Sequence, residues 1–279
     1  MMLKNSEILL TEPRGFCAGV ERAIEIVNRA VEIFDETIFV KHEVVHNKHV
    51  IEQLVEKGVV FVESLETVPD QSILIYSAHG VSKEISELAI KKRLKVFDAT
   101  CPLVTKVHFE IHKFASQNID VVLVGHSGHP EVEGTMGQYI SEKGKIHLVE
   151  TNDDIKKLKI ENKNIAYVTQ TTLSVDDTKS IVSCLKNKFP NIIGPRKDDI
   201  CYATQNRQEA VKKILEFCDS LIVVGSQNSS NSQRLKEIGV QYGIKSYLID
   251  DINQINIDDL SGDEVIGITA GASAPEDNV

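Results

Sequence analysis

Tryptophan is absent from this 279-residue sequence, and aromatic residues make up only 5% of it. A core without large rings has to come from Val, Ile and Leu, which fill short runs such as VVLV and LIVV. Strand-sized, β-branched runs of this kind suit the buried strands of an α/β protein. No apolar run approaches the roughly 20 residues that a transmembrane helix needs. The opening MMLKNSEILL also lacks the basic stretch and sustained apolar segment of an export signal. Neither membrane spanning nor secretion is therefore expected. A cationic excess is missing too: 31 Lys and Arg stand against 41 Asp and Glu, for a formal net charge of −10. This argues against a nucleic-acid partner, because phosphate-backbone affinity needs clustered Lys and Arg. A phosphorylated small molecule remains within reach of local donors and helix N-termini.

Paired cysteines are lacking as well. The five cysteines are odd in number and form no C-x-x-C or ferredoxin-type run. With no export signal, they are expected to be reduced thiols in a cytoplasmic protein, each one a core filler or a ligand.

What is present is regular alternation. After Cys17 come helix-forming CAGVERAIEIVNRAVEIF, the strand IFVKH, helical KHVIEQLVEKG, strand-like VVFV and ILIYSAHG, helical SKEISELAIKK, and the strand KVFDAT leading into Cys101. A second round runs from VTKVHFEIHKFAS through VVLVGHSGH, KIHLVE, IAYVTQTT and SVDDTKSIVSCLKNKF to GPRKDDI and Cys201. A third carries NRQEAVKKILEFC, LIVVGSQNSSNS, RLKEIGVQYG, KSYLID and VIGITAGASAP. Strand and helix alternating in this way predict parallel βαβ units. The expected architecture is three pseudo-equivalent α/β units: 15–101, 102–197, and 198–279 with 1–14. In the third, SEILLTEP would supply a strand that completes the sheet. Only EDNV follows TAGASAP, so this round lacks the closing helix expected from the other two.

Cys17, Cys101 and Cys201 lie at domain-scale intervals, each where a strand-like approach (ILLTEPRGF, KVFDAT, GPRKDDI) meets a helix start. A helix N-terminus lowers a thiol's pKa and favours the thiolate that ligates metal. Three such thiolates suit either a cubane cluster with one open iron or a zinc ion completed by histidine. Cys184 and Cys218, on apolar faces of helical segments, read as buried core residues. GHSGHPEVEG sets His126 and His129 three residues apart, near Glu131 and Glu133. Its Gly and Pro mark it as a loop, which removes the helical geometry of a H-E-x-x-H zinc site. In such a loop a histidine could bind an anion while Glu131, if dry and near negative charge, would hold its proton toward neutral pH. SQNSSNS and TAGASAP are dense in small and polar residues. They suit turns and N-caps and could also cradle phosphate, with His46 and His79 adding donors.

Several long segments together resemble one family: PRGFCAGVERAI, HEVVHN, SAHGVS, FDATCPLVTKVH, GHPEVEGTMGQY, TQTTLSVDDT, GPRKDDICYATQNRQEAV, GSQNSSNSQRL and TAGASAP are similar to the 4-hydroxy-3-methylbut-2-enyl diphosphate reductases of the non-mevalonate isoprenoid pathway. The resemblance runs from about residue 7 to residue 275. It implies a trefoil of α/β units around a [4Fe-4S] cluster held by Cys17, Cys101 and Cys201, with the fourth iron open to the substrate's allylic hydroxyl. It further implies a ferredoxin or flavodoxin electron donor, and isopentenyl and dimethylallyl diphosphates as products. Carried over by position, the diphosphate would be held by His46, His79, His129, Ser229, Ser230, Asn231 and Ser273. Glu131 would deliver a proton, and Thr171 would relay it and position the hydroxymethyl group, with Asn231 in the same network. Family members continue past GASAP, so a third unit less stable than in a longer relative is expected.

Overall fold

The computed structural model describes residues 6–255, 260 and 265–279. In chain order, the first stretch gives β1 (Glu7–Leu10), α1 (Ala18–Ile33), β2 (Ile38–Lys41), α2 (Lys48–Glu56), β3 (Val60–Val62), β4 (Ile73–Tyr76), α3 (Lys83–Lys91) and β5 (Lys95–Asp98). The middle gives α4 (Pro102–Ser116), β6 (Asp120–Val124), α5 (Pro130–Met136), β7 (Ile146–Val149), α6 (Asn152–Lys157), β8 (Ile165–Thr169) and α7 (Val175–Lys188). The remainder gives α8 (Tyr202–Ile214), β9 (Ser220–Val224), α9 (Ser230–Gln241), β10 (Lys245–Ile249) and β11 (Val265–Ala270).

These strands form three parallel sheets, the α/β class that the alternation predicts. Their orders correspond. The pairs β2–β4, β6–β8 and β9–β11 lie inside, with β3, β7 and β10 on one flank. On the other flank stand β5, a single bridge from Ala166 to Ile193, and β1. The first strand of the chain thus pairs with the last, Glu7 opposite Val265 and Leu10 opposite Ile268, as the SEILLTEP segment anticipates.

The chain divides into two compact units. One comprises Met1–Glu21, Val45–Gln53 and Tyr202–Val279 and holds the β1, β9, β10, β11 sheet; the other comprises Arg22–Val44 and Leu54–Cys201 and holds the other two. Strands β4, β6, β8 and β9 are buried along their whole length, which is why they read as continuous apolar runs. Helix α4 shows the complementary pattern. Val104, Val107, Ile111 and Phe114 recur at helical spacing and are buried, and three of them join Val121, Leu123, Ala166 and Val168 in one core cluster. Each such aliphatic side chain contributes roughly 1.5–3 kcal/mol by leaving water.

Local expectations change in three places. GHSGHPEVEG is not wholly a loop, because Pro130 opens α5 at a position where its missing N–H costs no hydrogen bond, so Glu131 lies in the first turn of a helix. The approach to Cys201 is a strand only at the Ile193 bridge; Gly194 and Pro195 follow it, and Pro195 cannot donate to a ladder. Cys218 is buried in the core, as expected, but beyond the end of α8 rather than on it, and burial pushes its thiol pKa up. Cys184 packs partly buried on α7. Among the described residues no helix is long and apolar enough to cross a membrane.

Candidate active site

Parallel sheets present their ligand-facing loops beyond the C-terminal ends of the strands, and most of the singled-out residues lie there. In the unit holding β2 to β8, the Thr171 amide beyond β8 donates to Glu131 Oε1 at 2.6 Å, and the Thr171 hydroxyl donates to Oε2 at 2.9 Å. Glu131 and Thr171 are both 4% exposed. Burial pushes the Glu131 pKa from an ordinary 4.5 up to about 7, against the two Thr171 bonds, with the charge of Asp199 adding to the rise. The carboxyl therefore exchanges its proton close to neutrality, the range that suits a general acid.

His129, the N-cap of α5, accepts a bond at Nδ1 from the Glu131 amide at 3.1 Å. A neutral ring in that arrangement carries its proton on Nε2, where it can donate to an anion. The His79 ring meets it edge-on, with centroids 5.6 Å apart, and His79 Nδ1 lies 3.3 Å from the Ser77 hydroxyl. His126 is turned elsewhere, its Nδ1 3.4 Å from Glu150. His126 and His129 thus have separate partners. Among the described residues no three His, Cys, Asp or Glu side chains gather around a single-ion position.

The other unit carries His46, Ser229, Ser230, Asn231 and Ser273. Ser229 caps α9, and its hydroxyl accepts from that of Ser232 at 3.0 Å and lies 3.4 Å from that of Ser273. Ser273 Oγ donates to the His46 carbonyl at 2.8 Å, and the Asn228 amide lies 3.4 Å from His46 Nδ1. Ser230 is the first residue of α9, so this row of hydroxyls stands at the amide-rich, positive end of a helix. Glycine keeps it compact: a Cβ on Gly271 would lie 2.0 Å from Ser232 Oγ. Asn231 bridges inward, its Oδ1 accepting from the Ala272 amide at 2.9 Å and its Nδ2 donating to Thr204 Oγ1 at 3.2 Å.

The three cysteines repeat one arrangement. Cys17 immediately precedes α1, Cys101 is the N-cap of α4 with no side-chain capping bond, and Cys201 immediately precedes α8. The Cys17 amide donates to the Ala272 carbonyl at 3.1 Å, Cys101 to Ala78 at 3.0 Å, and Cys201 to Thr171 at 3.0 Å. Each acceptor stands two residues beyond the end of a strand, β11, β4 or β8. All three cysteines are partly exposed and in no disulfide. A fixed backbone and a helix dipole behind each thiol: this donor chemistry fits thiolate ligation of an iron-sulfur cluster.

Two supporting residues escape sequence reading. Arg207, buried on α8, donates to the Gly15 carbonyl at 2.6 Å and the Phe16 carbonyl at 3.0 Å and so fixes the approach to Cys17. Asp199 is buried, pairs with Lys106 Nζ at 2.9 Å and accepts from the Thr169 amide at 3.0 Å; burial raises its pKa to about 6. Its place in the charged run RKDDI conceals this role.

The LytB protein family model matches residues 8–279. The chain belongs to the LytB protein family. Among its LytB relatives, the 4-hydroxy-3-methylbut-2-enyl diphosphate reductase of Methylococcus capsulatus is 60% identical over 271 residues, covering 97% of this chain and 87% of the relative. The reductase of the same name from Aeromonas hydrophila is 59% identical over 270 residues, covering 96% and 87%. The solved structure of E-1-hydroxy-2-methyl-but-2-enyl-4-diphosphate reductase from Plasmodium falciparum superposes with a TM-score of 0.94 at 45% identity, covering 98% of this chain and 86% of that one. A second solved LytB-type structure, titled as the terminal enzyme of the non-mevalonate pathway, gives a TM-score of 0.69 at 32% identity, covering 98% and 96%.

Proposed function

We propose that the chain reduces 4-hydroxy-3-methylbut-2-enyl diphosphate, releasing the hydroxyl as water and giving isopentenyl and dimethylallyl diphosphates. The observation that carries this reading is the buried Glu131, its pKa raised by burial to about 7, held at both carboxyl oxygens by Thr171, whose own carbonyl accepts from the Cys201 amide. The LytB relatives and their names support the same conclusion.

Replacing a C–O bond by C–H with loss of water consumes two electrons and two protons. A [4Fe-4S] cluster held by Cys17, Cys101 and Cys201 would supply the electrons and a Lewis-acidic iron for the hydroxyl. Glu131 would deliver a proton from a carboxyl whose pKa burial raises to about 7, while Thr171 fixes its orientation and relays the proton. His46, His79, His129, Ser229, Ser230, Asn231 and Ser273 would bind the diphosphate through imidazole, hydroxyl and amide donors and the N-terminus of α9. A ferredoxin or flavodoxin would provide single electrons, in a cytoplasmic setting consistent with the reduced thiols. Three α/β units, 15–101, 102–197 and 198–279 with 1–14, remain the domain reading, supported by the matching sheet orders.

The test is iron and sulfide quantification on anaerobically purified protein, followed by reduction of the diphosphate with a chemically reduced dye. Serine at position 17, 101 or 201 should abolish the cluster, and Glu131→Gln should slow turnover by about 10²- to 10⁴-fold with the cluster intact. A full complement of iron in all three serine variants would sink the ligand assignment. An unchanged rate in Glu131→Gln would remove the acid.

A further inference from the structure

The outward face of α4 forms the floor of a groove of about 790 Å³ within the Arg22–Val44 and Leu54–Cys201 unit. Thr105, Lys106, Phe109, Glu110 and Lys113 line it at the spacing of one helix face, while Val104, Val107 and Ile111 on the other side are buried in the core. One wall is Asp98 and Thr100, the chain running into Cys101; the other is the 193–196 segment, the chain running toward Cys201.

We infer that this groove is the docking surface for a small acidic electron-carrier protein. The inference rests on the proposed reductase activity and assigns the partner's place. Its charge stands out against the rest of the chain. Lys106 is already paired with Glu110 and the buried Asp199, so the uncompensated cations of the groove are Arg22, Lys113 and Arg196, facing one further carboxylate, Asp98, on a protein whose net charge is −10. Lys113 and Arg196 are exposed and have no ion-pair partner among the described residues. Arg22 spends its donors on the backbone carbonyls of Thr100 and Asp98, at 3.1 and 3.2 Å, which leaves its charge available to a partner.

Among these cations stand two exposed apolar side chains, Phe109 at 69% and Ile193 at 45%. An aromatic anchor ringed by Arg and Lys is the composition of a protein interface, in which charge steers the encounter and apolar contact holds it. A single small anion fits less well. Lys106 and Lys113 are two helical turns apart, about 10 Å along the axis, too far to converge on one phosphate. A docked carrier would sit against Thr100 and Pro102, the two chain neighbours of Cys101, and against the 193–196 segment that leads toward Cys201.

The probe is an acidic plant-type [2Fe-2S] ferredoxin, titrated into the anaerobic holoenzyme by calorimetry at low and high salt. Turnover is then driven in parallel by reduced ferredoxin and by a reduced dye. Lys113→Glu combined with Arg196→Glu should weaken ferredoxin binding at least tenfold and flatten its salt dependence, leaving the dye-driven rate unchanged. Phe109→Ser should weaken binding at constant charge, and Lys179→Glu, an exposed reversal on α7, should do nothing. Equal binding by wild type and the double variant, no binding by wild type, or a parallel fall of both rates would overturn the docking assignment. If wild type fails with the dye while the double variant still loses ferredoxin affinity, the reductase reading falls and the docking surface stands.

Discussion

Thr171 grips Glu131 at both carboxyl oxygens, the amide at 2.6 Å and the hydroxyl at 2.9 Å, and passes its own carbonyl to the amide of Cys201. One residue beyond β8 thus orients the proposed acid and anchors a proposed cluster ligand. Three consequences can be measured.

The first concerns pH and stability. Glu131 titrates near 4.5 when unfolded and at about 7 when folded. Between these values the folded state holds the extra proton, so stability falls as pH rises from 4.5 to 7 and then levels off. A raised acid of this size corresponds to roughly 3 kcal/mol. Glu131→Gln keeps the shape and the bond to the Thr171 amide without the ionisation. Its stability advantage over wild type should therefore appear above pH 5 and be largest above pH 7. Urea unfolding midpoints at pH 5 and pH 8 decide this; an advantage that does not grow with pH would refute the burial account.

The second concerns Thr171→Val. The hydroxyl bond lowers the Glu131 pKa, so its loss should drive that pKa still higher. Activity that needs a protonated acid falls as pH rises through its pKa, and the variant's basic limb should therefore move to higher pH. The buried oxygen left without its donor should cost about 1–3 kcal/mol of stability. A pH–rate profile with reduced dye provides the check, and a basic limb shifted to lower pH would contradict the assignment.

The third concerns Gly80, next to His79. Its φ is +76°, and an added Cβ would lie 2.7 Å from Cε1 of His108. Gly80→Ala should thus lose about 1 kcal/mol to backbone strain and a further 1–3 kcal/mol to overpacking. His108→Ala removes the clash but not the strain. In a double-mutant cycle read by unfolding midpoint, the alanine at position 80 should cost less in that background, and additive effects would show that His108 is not the obstacle.

Much of the architecture is legible in the sequence because buried parallel strands leave a signature of their own. VVLV, ILIY and LIVV are apolar on both faces, and the helices between them alternate at the helical period. Even the pairing of β1 with β11 is anticipated, because SEILLTEP reads as a strand available to the third sheet. The chemistry-bearing residues stand out for a different reason, since their segments carry the resemblance to the diphosphate reductases. Local geometry is harder to read where one residue serves two purposes. Pro130 looks like a loop marker and opens a helix, and Gly134 faces the Gly80 carbonyl at a Cβ distance of 3.3 Å within that same helix. Asp199 looks like one charge in a solvated run. Only the fold shows its carboxylate buried between Lys106 and the Thr169 amide.

The matched bonds from Cys17, Cys101 and Cys201 to carbonyls two residues past β11, β4 and β8 act as a ruler for loop length. One inserted residue between strand end and acceptor would push the anchoring carbonyl along by up to about 3.8 Å and carry the tethered thiol with it. Surface loops elsewhere can lengthen at little cost, but these three cannot. Across natural variants, length changes should collect at turns such as Gly58 and Gly243, where a side chain would meet open space, and spare the two-residue steps that set where the sulfurs stand.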